Sequence, residues 1–101
     1  MKLTGKFKDG LYEWLQEKSF IFKEVQPNFG DLPQSAQFGL IEEYCDTLGV
    51  RVGIYFIHEN HTNFEYWVQI ICDTEDEYYC KSRAKAQLKA LEKVQEIINS
   101  E

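Results

Sequence analysis

Val50, Val52, Ile54 and Phe56 alternate with Arg51, Gly53, Tyr55 and Ile57. A period of two sends successive side chains to opposite faces, so 50–57 is predicted as a strand with one fully apolar face. Residues 64–72 repeat the pattern. Phe64, Tyr66, Val68, Ile70 and Cys72 fall on one face, and Glu65, Trp67, Gln69 and Ile71 on the other. The short polar stretch His58–Asn63 joins the two runs into a hairpin. Asp73–Asp76 reads as the next turn, and Glu77–Cys80 as a short third strand.

Elsewhere the period is helical. Leu40, Ile41, Tyr44 and Leu48 share one side of a helix that Ser35 is placed to cap and Gly49 to end. Ser82 is placed to cap a last helix with Ala84, Leu88, Leu91, Val94 and Ile98 as its apolar stripe. Near the start, Asp9 is placed to cap a short helix carrying Leu11, Trp14 and Leu15. The aromatic and β-branched run Phe20–Val25 reads as a strand that Pro27 ends or marks as a sheet edge, and Asn28–Gln34 as a loop.

The fold class predicted is α+β, in the order α-β-α-β-β-β-α. A three- or four-stranded antiparallel sheet carries the helices Ser35–Leu48 and Ser82–Asn99 on its Val52/Phe56/Val68/Ile70 face. A chain of 101 residues is expected to be one domain, with residues 1–34 packing on an α-β-β-β-α core at 35–99. At 44% hydrophobic and 15% aromatic, it has the material for a core and is not a disordered chain.

Charge sharpens the picture. Residues 1–80 hold 14 acids against 6 bases, whereas residues 81–101 hold 5 bases against 3 acids. An acidic body repels anionic partners at long range and leaves only a local patch for nucleic acid. The three cysteines are odd in number and show no CxxC spacing. Free thiols in a cytoplasmic protein are the expectation. The first residues lack the apolar run of a signal peptide, and no stretch approaches a membrane span, so no membrane partner is expected.

Residues 35–99, with the basic start "KSRAKAQLKALEKV" of the last helix, resemble the double-stranded-RNA-binding domain in order and spacing. The resemblance implies a phosphate role for Lys81, Arg83, Lys85 and Lys89, and a groove-reaching role for His61 in the hairpin loop. "SAQFGLIEEYCDTLGV" followed by a hairpin and "SRAKAQLKALEKVQEIIN" resembles small uncharacterised proteins of phages and prophages. That likeness implies an accessory binding role in a host cytoplasm.

Lys81, Lys85, Lys89 and Lys93 are four apart and drift by ~40° per step. They are expected to begin near the apolar stripe and end on the far side, as an ordinary solvated face with snorkelling stems. His58 and His61 flank Glu59 without a matching second ligand pair, so no metal is expected. Cys45 and Cys72 read as structural thiols on apolar faces, and Cys80 lacks a histidine partner in sequence. The acidic run 73–77 lacks the ligand spacing of a calcium loop. With no nucleophile, acid–base pair or phosphate loop, neither catalysis nor a cofactor is expected.

The opposite sheet face carries Tyr55, Ile57, Trp67 and Ile71, with Tyr79 beside them. Either residues 1–33 cover it, through Trp14 and Phe20–Val25, or it is an aromatic patch of the kind interfaces favour. Tyr55, Trp67 and Ile71, together with Asp73, Glu75 and Asp76 of the acidic turn, are therefore the expected contacts for an unidentified protein of host or phage. Binding of an RNA backbone through the last helix is the alternative.

Overall fold

The computed structural model describes residues 2–17, 26–57 and 66–100. Helix α1 spans Gly5–Glu17 and a 3₁₀ segment spans Gln26–Asp31; helix α2 follows at Gln34–Thr47. Strands β1 (Arg51–Phe56), β2 (Tyr66–Ile71) and β3 (Glu75–Cys80) precede helix α3 (Arg83–Asn99). The strands form an antiparallel sheet in the order β1-β2-β3. The α+β class is as predicted, with three strands among the described residues. The strand expected at Phe20–Val25 and the hairpin loop His58–Asn63 lie outside the described residues, while Pro27 sits within the 3₁₀ segment.

Helix α2 ends as its glycine predicts. Gly49 adopts φ +76°, a left-handed conformation that costs little without a Cβ. There its N–H reaches the Asp46 carbonyl at 3.2 Å, and the Val50 N–H reaches that of Cys45 at 3.0 Å. This is a Schellman turn, sealed by the buried pair Cys45 and Val50. It reverses the chain directly into β1.

Helix starts depart from the local signals. Helix α2 begins one residue before Ser35, which is exposed inside the first turn. Pro33 is the cap residue; its carbonyl accepts the N–H groups of Ala36 and Gln37, both at 3.0 Å. Helix α1 begins four residues before Asp9, which lies exposed in mid-helix. Its first N–H groups are met from α3, so a local cap is not needed. Phe7 donates to Asn99 Oδ1 at 2.9 Å, and Thr4 to Gln95 Oε1 at 2.7 Å. Ser82 does cap α3, accepting the Lys85 N–H at 3.2 Å.

One buried cluster joins Phe7, Leu11 and Leu15 of α1, Phe29, the inward side of α2, Val68 and Ile70 of β2, and Ala86, Ala90, Leu91 and Val94 of α3. The stripe of α3 is rotated from the expected one. Ala84 and Leu88 are exposed, while Ala86, Gln87, Ala90 and Gln95 are buried. The small alanines let the helix lie close over the sheet. The glutamines turn inward because polar partners meet them there: Gln95 Nε2 donates to the Lys2 carbonyl at 2.9 Å. Gln87 Oε1 in turn accepts Gln34 Nε2 at 3.0 Å.

The inner sheet face is apolar at its centre only. Val68 and Ile70 are fully buried and Val52 and Ile54 partly so, but Phe56 is 55% exposed and meets Tyr66 edge-on at 5.6 Å. The helical cover stops short of this last residue of β1, so Phe56 is not a core position. Leu48 is exposed too, past the end of α2.

Candidate interaction surface

Strand β3 starts two residues earlier than its aromatic run suggests, so the turn is Cys72–Thr74 and not the whole acidic run. Pairing Ile71 with Glu75 satisfies two more residues of backbone, and Gln69 Nε2 donates to Glu75 Oε1 at 2.6 Å across the strands. The register then fixes the outer face. Tyr55 opposes Trp67, and Trp67 opposes Tyr79, so three aromatics form one row across the entire sheet. Gly53, Gln69 and Glu77 form the next row, and Arg51, Ile71 and Glu75 the third.

The three described helices lie on the other side, against the inner face or one another. Helix α1 packs on α2 and α3, and Trp14 rests on Tyr44 with centroids 5.7 Å apart. Trp14 therefore does not cover the outer face. Tyr55 is 48% exposed, Tyr79 54% and Ile71 38%. With Trp67 half-buried between them, the two exposed tyrosines and Ile71 leave an apolar band facing water.

The band has a definite shape. A Cβ on Gly53 would meet the Tyr55 hydroxyl at 2.5 Å, so the missing side chain lets Tyr55 lie back along its own strand. Its ring packs at 5.2 Å on Trp67, tilted by 37°. The Trp67 indole N–H is covered and meets no acceptor among the described residues, at a cost of about 1–3 kcal/mol. Beside the band an open hollow of about 310 Å³ is lined by Asp46, Arg51, Gly53, Tyr55, Gln69 and Ile71.

Of the residues expected to make protein contacts, Tyr55, Trp67, Ile71 and Glu75 share this face, and Asp73 is exposed in the turn at its end. Asp76 does not belong with them. Strand alternation puts it level with Ile70 on the helix side. Arg51, Gly53, Glu77 and Tyr79 complete the surface. Tyr79 is where the sequence put it, and alternation along the predicted strand Glu77–Cys80 puts Glu77 on the same face.

The basic residues scatter. Lys81, Arg83 and Lys85 are exposed at the start of α3. The stripe drifts opposite to expectation, from solvent towards the sheet edge. Lys89 and Lys93 lie over the Tyr78 ring, 5.1 and 5.6 Å from its centroid. They also approach Glu92 and Glu96 at 3.9 and 3.2 Å. The hydrogen bond to Glu96 raises the Lys93 pKa. Burial raises the Glu42 pKa, Asp46 adds to the rise, and the charge of Arg83 opposes it, so Arg83 already acts on an acid of α2. His61, the expected groove-reaching residue, and His58 lie outside the described residues.

Burial pushes the Cys45 thiol up to about 12, with Asp46 and Glu42 adding to the rise, which fits a structural thiol. Cys72 and Cys80 are half-buried. Among the described residues, no group of three or more His, Cys, Asp or Glu side chains is placed to share a metal ion. No described helix is long and apolar enough to cross a membrane. A groove of about 550 Å³ runs between α3 and the N-terminal segment, lined by Lys2, Thr4, Leu88, Leu91, Gln95 and Asn99. The amides of Gln95 and Asn99 are committed there to holding backbone.

Among the described residues, the architecture of 34–99 is thus α-β-β-β-α, with an aromatic band on the sheet face turned away from the helices. No protein-family model, curated protein or solved structure matches the chain.

Proposed function

We propose that this chain is a non-enzymatic protein-binding module, of the accessory kind its sequence resembles in phages, and that the outer sheet face is its docking surface. The observation that carries this reading is the cross-strand row Tyr55–Trp67–Tyr79, in which exposed Tyr55 and Tyr79 flank a half-buried Trp67. Tyrosine, tryptophan and arginine supply most of the energy in protein interfaces, and this face offers all three around Ile71. The acids Glu75 and Glu77 on its β3 side disfavour a phosphate backbone there.

The test is photo-cross-linking in lysate of the cells that produce the protein. A benzophenone side chain in place of Tyr79 should yield a discrete protein adduct. The same group in place of Leu88, exposed on α3, should not. Trp67→Ala, checked for retained fold by circular dichroism, should abolish the adduct. Absence of any protein adduct at position 79, or capture of nucleic acid instead, rejects the reading.

A further inference from the structure

We infer that the partner docked on this face is a second copy of the chain, related by a two-fold axis parallel to β2. The inference rests on the reading of the outer face as a docking surface and names what docks there.

The strand register supplies the argument. A two-fold axis along β2, lying between two facing sheets, keeps each residue at its own level and exchanges β1 for β3. Arg51, Ile71 and Glu75 share one level. Arg51 of each copy therefore stands over Glu75 of the other, twice per dimer. Ile71 meets Ile71, Trp67 meets Trp67, and Tyr55 meets Tyr79. The positive side of the face lands on the negative side. Facing sheets pack about 10 Å apart, a gap that an arginine and a glutamate span together. A rotation of about 30° between aligned sheets shifts the outer levels by no more than such long side chains absorb.

The other two-fold arrangement, with its axis across the strands, lays each strand on itself. Glu77 then faces Glu77, and Arg51 faces Tyr55. That pairs acid with acid and leaves both arginines without a carboxylate, so charge selects the first arrangement.

Size sets the expected strength. Three strands of six residues cover about 15 by 20 Å. Two such faces bury on the order of 1,000 Å² in total, the lower bound for a specific interface. The dimer is accordingly expected to be weak and dependent on concentration.

Sedimentation or light scattering from about 5 µM to 1 mM tests this, in ~0.15 M salt so that the repulsion between two acidic chains is screened beyond about 8 Å. The mass should rise from 11.9 kDa towards twice that value. Arg51→Glu and Glu75→Arg should each weaken association at least tenfold, because each places like charges in opposition at both contacts. Both residues are exposed, so the fold is retained. An equimolar mixture of the two variants should restore a dimer, since each contact then regains one acid and one base. A wild type that stays monomeric throughout overturns the second copy alone; a cross-linked adduct of another mass at position 79 would then still uphold the docking surface. Dimerisation indifferent to both reversals overturns this use of the face. Reversals that weaken the dimer without rescue in the mixture overturn the proposed axis.

Discussion

The first turn of α1 is capped by the last turn of α3: the Phe7 N–H donates to Asn99 Oδ1 at 2.9 Å. Asn99 Nδ2 also donates to the Thr4 carbonyl at 3.1 Å. One turn earlier, Gln95 takes the Thr4 N–H and gives a hydrogen bond to the Lys2 carbonyl. Two amides on one face of α3 thus hold residues 2–4, the lead into α1, and start the helix.

Asn99→Ala should cost about 1 kcal/mol, the usual worth of a helix cap. Gln95→Ala should cost more. Gln95 is buried, and its loss leaves a backbone donor and a carbonyl short of partners, at about 1–3 kcal/mol. Urea denaturation gives the stabilities. Hydrogen exchange should show faster opening confined to residues 5–11 in Asn99→Ala. Unchanged exchange there would mean the cap contributes nothing.

Gly10 and Gly39 are both helical glycines, and the same substitution should act on them with opposite sign. Helix propensity alone favours alanine by about 1 kcal/mol at each. A Cβ at Gly39 meets nothing within 4 Å, so Gly39→Ala should gain roughly that amount. A Cβ at Gly10 collides with the Tyr44 hydroxyl. Tyr44 cannot swing aside, because Phe7 and Trp14 hold its ring at 5.5 and 5.7 Å. Overpacking of this kind costs about 1–3 kcal/mol and outweighs the propensity gain. Melting curves should show Gly39→Ala above wild type and Gly10→Ala below it.

Much of the sheet was legible because its rule is local. Alternation alone assigned β1 and the second strand to the correct faces, and Gly49 and Ser82 announced a helix end and a helix start. The misses share a cause: the deciding partner is remote in sequence. The cap of α1 lies 92 residues away in Asn99, so Asp9 looked like the better start. The predicted stripe of the last helix omits Gln87 and Gln95, because their partners, Gln34 and the backbone of residues 2–4, are not neighbours in the chain. The outer face was found through Tyr55 and Trp67. Tyr79 was placed beside them, and the pairing of Ile71 with Glu75 adds Glu75 and Glu77 to β3, where the acidic composition of residues 73–76 suggested a turn.

Stability should fall at high pH. The Cys45 thiol has an ordinary value of 9.0, which burial raises to about 12 in the fold. Between those values the unfolded chain has lost a proton that the folded chain retains. Stability is therefore fully present below about pH 9 and declines by up to about 1.4 kcal/mol per pH unit towards 12. Tyr44, raised above 10.0 mainly by burial, adds to the same trend. Denaturant midpoints at pH 8 and 10.5 should differ more in wild type than in Cys45→Ala. Equal differences would remove Cys45 as the source.

Titration with a duplex of about 20 RNA base pairs should show no binding at moderate salt. The phosphate role implied for Lys81, Arg83, Lys85 and Lys89 needs several charges to act together. Lys89 is drawn onto Tyr78 and towards Glu92, and Lys93 onto the same ring and towards Glu96. Lys81, Arg83 and Lys85 are left exposed at the helix start. Three phosphate contacts at most give a salt slope no steeper than about −3, and approach is opposed by the net −6 of the chain. Binding with a slope of −3 to −4, indifferent to sequence and lost in Lys85→Glu, would show that α3 does grip a backbone. It would rank the RNA reading above the protein-binding one.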